Sequence, residues 1–175
     1  MPSTRWIGQD TGHGDNRMNL ADFVQILDLA PHLDFIMFDG CFMQSVEVAY
    51  ALRNHTDYYI ASPTEIPGPG APYDKVVPYM FVDENAAVDM AKAYFDTYAS
   101  MYNGGINISN DNWTGGTSIA VLKTSGLENL ASVTKQLLSG GVVADNAVLR
   151  EKVFNYDKRS SSAVGLSLIH ISEPT

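Results

Sequence analysis

The chain has 175 residues, 45% hydrophobic and 18% charged, with 14 Gly and 8 Pro, which fits one globular domain and excludes a disordered, collagen-like or disulfide-stapled chain. Twenty acidic residues against eleven basic ones leave a formal charge of −9, which argues against nucleic acid and anionic lipid as partners and suits a cationic substrate better. No apolar run approaches the ~20 residues of a membrane span, and one cysteine cannot form an internal disulfide.

Residues 1–6 carry neither a basic nor an apolar leader signature. Asn19 is suited to cap a helix over 20–29, with Phe23, Ile26 and Leu27 on one face and Pro31 beyond its end. The continuous apolar run 35–38 predicts a strand buried on both faces, ending at Asp39-Gly40-Cys41. Helical spacing of Met43, Val46, Ala49 and Tyr50 predicts a helix over 43–52, and 58–61 a second buried strand, so this stretch reads as a parallel strand–helix–strand unit. Residues 62–73, with four prolines and two glycines, can only be a stiff irregular loop. A helix over 86–102 presents Ala87, Met90, Ala91, Tyr94, Tyr98 and Met101 along one face and stops at Asn103-Gly104-Gly105. A strand at 117–122 and helices at 127–138 and 143–156 complete a single α/β domain without internal repeats. The last ten residues, 166–175, resemble the in-frame translation of a transposon-type sequencing adapter; they are set apart from 1–165.

Cys41 is the position with most chemical content. It follows a buried strand, where open α/β sheets bind ligands, and precedes a predicted helix whose N-terminus would favour a thiolate. A lone cysteine is also a small hydrophobe, and its position alone leaves both readings open.

The words around it carry a resemblance. Phe38-Asp39-Gly40-Cys41-Phe42-Met43, then Val46-Glu47-Val48-Ala49-Tyr50, Thr56-Asp57-Tyr58-Tyr59-Ile60-Ala61-Ser62 and Pro69-Gly70-Ala71-Pro72-Tyr73-Asp74 run in the order found in the clostripain family of cysteine peptidases. Ile7-Gly8-Gln9-Asp10 and Met18-Asn19-Leu20-Ala21-Asp22-Phe23 are similar to the approach to its nucleophile, and the resemblance spans about 7–162. It implies a caspase-like three-layer α/β/α sandwich, here lacking its N-terminal strands. It implies that Cys41 attacks a scissile carbonyl and forms a thioester, with its own N–H donating to the oxyanion. Asp39 would line a pocket for a substrate Arg or Lys, and the loop that starts at Ser62 would wall the cleft. Without the resemblance, Asp39 reads as a strand-end or turn residue. Gly40 departs from the alanine common at that place in the family.

The family's histidine should be followed by glycine and end an apolar strand. Thr11-Gly12-His13-Gly14 has the pair but no such strand before it, so His13 reads as a turn residue and the base is expected upstream of the residues shown. His32 and His55 read as solvated or capping residues. The reaction needs no cofactor; Asn107-Ile108-Ser109-Asn110-Asp111-Asn112 offers oxygen donors for calcium, which some relatives use, but lacks the glycine and closing glutamate of an EF-hand loop. The expected partner is a peptide or protein with a basic residue. Relatives are commonly exported, which implies a periplasmic or secreted location. The rival reading is a non-catalytic binding domain that keeps the fold without the catalytic pair.

Overall fold

The computed structural model describes residues 6–14, 16–82, 84–109 and 111–140. Strands β1 (Trp6–Asp10) and β2 (Asn16–Asn19) form an antiparallel hairpin around a turn at 11–14. The hairpin has no counterpart in the sequence reading, because β2 is polar and mostly exposed and shows no apolar alternation. Helix α1 (Leu20–Leu27) follows directly; Asn19 is its N-cap, and the Asn19 backbone N–H donates to the Asp22 carboxylate at 3.2 Å.

The central sheet runs in the order β3-β4-β5. β3 (Leu33–Met37) and β4 (Thr56–Ala61) are parallel, joined through α2 (Val46–Leu52), as the strand–helix–strand reading required. β5 (Ala120–Lys123) adds antiparallel to β4, pairing Ile60 with Val121. Only Ile36 of β3 is buried, so the expectation of a strand buried on both faces is corrected: β3 is an edge strand among the described residues.

Alternation along the strands divides the core in two. Ile36, Tyr59 and Ala61 face Leu27 of α1, Val48, Ala49 and Leu52 of α2, and Leu127 of α5 (Leu127–Ser139). Ile60, with Phe35, Met37, Tyr58 and Val121 beside it, faces Val76 of α3 (Tyr73–Val76) and Ala87, Met90, Ala91, Tyr94 and Tyr98 of α4 (Ala86–Ala99). Helices therefore cover both faces of one sheet, a three-layer α/β/α sandwich.

α2 begins at Val46 and not at Met43, because the Ser45 hydroxyl accepts the Val48 N–H and caps the helix there. Cys41 consequently lies in a turn ahead of the helix, and the expected placement of its thiol at a helix N-terminus is not what the chain adopts. α4 ends three residues earlier than the periodicity suggested, and the predicted helix at 143–156 and the tail at 166–175 lie outside the described residues.

Candidate active site

The turn carrying Cys41 leaves the sheet just past β3 and is stitched to the loop that follows β4. Phe42 N–H donates to the Thr64 carbonyl and Gln44 N–H to the Ser62 carbonyl, each at 3.0 Å. The buried Tyr59 hydroxyl donates to the Met43 carbonyl at 2.6 Å. Phe42 takes φ of +59°, a left-handed conformation that costs a bulky residue ~1–2 kcal/mol and is held here by these surrounding bonds.

Cys41 is exposed, and its Sγ accepts the Ile66 N–H at 3.4 Å. It opens on a cavity of about 910 Å³ lined by Thr64, Glu65 and Ile66 on one side and Phe95, Tyr102, Ile108 and Trp113 on the other. The loop after Ser62 thus forms one wall of the space in front of the thiol. A second wall, from α4 and residues past its end, went unrecognised in the sequence, where Phe95 stands off the apolar face of α4, Tyr102 follows the helix and neither carries a motif.

Asp39 does not line this cavity. Both its carboxylate oxygens accept the Ala71 N–H, at 3.0 and 2.9 Å, and they also accept the Tyr73 hydroxyl at 3.0 Å and the Tyr94 hydroxyl at 3.3 Å. Tyr98 closes the group by donating to the Gly70 carbonyl at 2.7 Å. Burial, then the neighbouring Asp39, raises the phenols of Tyr73 and Tyr94 above their ordinary range, so both remain neutral donors. Sequence marked Tyr94 and Tyr98 only as core positions; nothing in it brought them to Asp39.

Ser62 is fully buried, and its hydroxyl folds back on Thr64, accepting its N–H at 3.1 Å and bonding its carbonyl at 3.0 Å. Ser62 shapes the wall from behind. The three described histidines lie elsewhere. His13 is exposed in the hairpin turn against Asp10, as a turn residue should be. His32 contacts the Asn54 carbonyl and Asp57. Of the two readings for His55, solvated or capping, the first does not hold: its side chain is largely buried and pairs with Asp28, the C-cap residue of α1, at 3.6 Å. None of the three lines the cavity. Among the described residues no group of three or more His, Cys, Asp or Glu is placed to hold a metal, and no helix is long and apolar enough to cross a membrane.

The site therefore presents an exposed thiol in a tightly bonded turn, facing a cavity at the end of the parallel β3–β4 pair. The clostripain family model matches residues 1–167, and the chain belongs to that family. No curated protein matches it. Among solved structures it is similar to a Bacteroides fragilis cysteine protease, at 49% identity and a TM-score of 0.81 over 90% of this chain and 63% of that one. It is also similar to a secreted C11 cysteine protease from Bacteroides thetaiotaomicron in complex with an irreversible peptide inhibitor, at 53% identity and a TM-score of 0.75 over 89% and 42%. A clostripain from Bacteroides thetaiotaomicron, in complex with the peptide inhibitor BTN-VLTK-AOMK, matches at 25% identity and a TM-score of 0.66 over 85% and 60%. The chain spans less than two thirds of the length of each of these structures. The fold is thus the caspase-like one that the resemblance implied.

Proposed function

We propose that the chain is the nucleophile-bearing part of an exported cysteine endopeptidase that cleaves after Arg or Lys. The carrying observation is the exposed Cys41 Sγ, held by the Ile66 N–H at the mouth of the cavity. In this reading the Cys41 thiolate attacks the scissile carbonyl, the amine leaves with a proton, and water hydrolyses the thioester. The Cys41 N–H, now a turn amide and not a helix-start amide, donates to the oxyanion. Asp39 is two residues away, within ~7 Å along the chain, and supplies the negative charge for the basic side chain. Ser62 contributes through its carbonyl and its buried turn, which fix the cleft wall. Supporting the specificity, the inhibitor BTN-VLTK-AOMK of the clostripain complex carries K next to its AOMK group, and supporting export, the similar Bacteroides thetaiotaomicron C11 protease is a secreted one.

The base comes from outside the described residues, so residues 1–165 alone are inactive and the full-length peptidase is the active species. The chemistry needs no metal or cofactor; calcium at 107–112 would act on the loop and not on the reaction. The test is labelling of the full-length protein by an arginyl chloromethylketone. Cys41 is expected to be alkylated at least tenfold faster than by the norleucyl analogue, and Cys41→Ser to take up no label. Labelling no faster than that of a free thiol would favour the rival, a non-catalytic binding domain, to which the distance of His13, His32 and His55 from the cavity already lends an observation.

A further inference from the structure

Resting on the reading that Asp39 meets the substrate's basic group, we infer that Tyr73 is a specificity gate on that carboxylate: its hydroxyl holds the place the cation takes, and binding exchanges one for the other. A carboxylate has about four lone-pair directions. In Asp39 three donors face them: one Ala71 N–H shared between both oxygens, Tyr73 on Oδ2 and Tyr94 on Oδ1. A guanidinium or ammonium group therefore meets Asp39 in competition with a donor already in place.

Burial decides which donor leaves. Ala71 is 5% exposed and Tyr94 is 0% exposed, so stripping either of its acceptor strands a donor away from water, at a loss of roughly 5- to 100-fold in affinity. Tyr73 is 52% exposed and its freed hydroxyl is rehydrated, which lowers the loss to roughly two- to tenfold. The loop side is closely packed and tied. A Cβ at Gly70 would meet Asp39 Oδ2 at 2.7 Å, and Tyr98 ties the Gly70 carbonyl down at 2.7 Å. Of the donors on Asp39, Tyr73 is the one that stands exposed.

The gate gives selectivity as well as affinity. A cation recovers the lost bond through a charge-assisted one, whereas a neutral side chain gains too little at the carboxylate to displace the phenol and leaves the gate closed. The test uses the full-length peptidase carrying Cys41→Ala, titrated with Nα-acetyl-argininamide and its neutral isostere Nα-acetyl-citrullinamide by NMR. The argininamide is expected to bind at least fivefold tighter than the citrullinamide, and Asp39→Asn to abolish the difference. Tyr73→Phe keeps the half-exposed ring and removes the competing hydroxyl. It should tighten argininamide roughly two- to tenfold and leave citrullinamide unchanged. In the unsubstituted Tyr73 protein, argininamide and not citrullinamide should shift the Tyr73 ¹³Cζ resonance as the phenol leaves the carboxylate. A kept preference for arginine with unchanged or weaker binding in Tyr73→Phe and no Tyr73 shift overturns the gate and leaves Asp39 in its role. No preference for arginine in either protein overturns the gate and the basic specificity together, while Cys41 labelling still decides the peptidase chemistry.

Discussion

A carbon atom added at Gly70 has nowhere to go: φ is +78° and the new Cβ would sit 2.7 Å from Asp39 Oδ2. Gly70→Ala should therefore destabilise the protein by on the order of 2 kcal/mol in urea denaturation and loosen the loop from Asp39. Gly40→Ala is the control. There the new Cβ lies 3.2 Å from Met43 Cγ, and a methionine side chain yields easily, so stability should change by no more than ~0.5 kcal/mol. That outcome would show the departure from the family's usual alanine to be neutral. Tyr59→Phe removes the donor to the Met43 carbonyl and should cost about 1–2 kcal/mol. It should also slow alkylation of Cys41, because that bond holds the turn behind the thiol; unchanged labelling would make Tyr59 a core residue only.

Among the elements, α5 depends on charge for its seat. Of its residues Leu127 is buried, while Leu130, Leu137 and Leu138 stand exposed. Glu128 fastens its first turn, taking the Tyr50 hydroxyl at 2.9 Å and the Arg53 guanidinium at 3.1 Å. The Tyr50 hydrogen bond, then Arg53, lowers the Glu128 carboxyl below 4.5, and that same Glu128 bond raises the Tyr50 phenol above 10. A depressed carboxyl adds stability above pH 4.5 and loses it as pH falls through its folded value; a raised phenol adds stability below pH 10 and loses it as pH climbs. Protection of the α5 amides, taken relative to the intrinsic exchange rate at each pH, should thus be greatest between about pH 4.5 and 10, and Glu128→Gln should remove the acid edge of that window.

The elements also show what was legible in the sequence. β3, α2 and β4 were, because continuous apolar runs and helical spacing leave few alternatives for residues 35–61. The start of α2 was misplaced because apolar Met43 extends the helical pattern past the Ser45 cap. The hairpin β1–β2 and the helix at Tyr73–Val76 were invisible, one for want of apolar alternation and the other because it is a single turn behind Pro72. At the site, Asp39 and Cys41 came from local words, whereas Tyr73, Tyr94 and Gly70 reach Asp39 across 30 or more residues. Such contacts leave no periodic trace.

For the whole molecule, the sheet leaves one side of β3 without a strand partner among the described residues, beside half-buried Phe35 and Phe38. An apolar open edge is a template for pairing with another chain. The 175-residue chain should self-associate and bind a hydrophobic dye, read by light scattering and dye fluorescence. A soluble monomer with a sharp cooperative melt would overturn this.

Phe42 sets stability against reactivity. It stands next to the thiol in a left-handed conformation, half-buried and in neither core cluster. Laboratory evolution for heat resistance alone should therefore replace it early, with glycine or asparagine. The survivors would melt higher, carry a more mobile cysteine and label more slowly. A lineage selected for heat resistance alone that keeps Phe42 would show that its left-handed conformation carries no net cost.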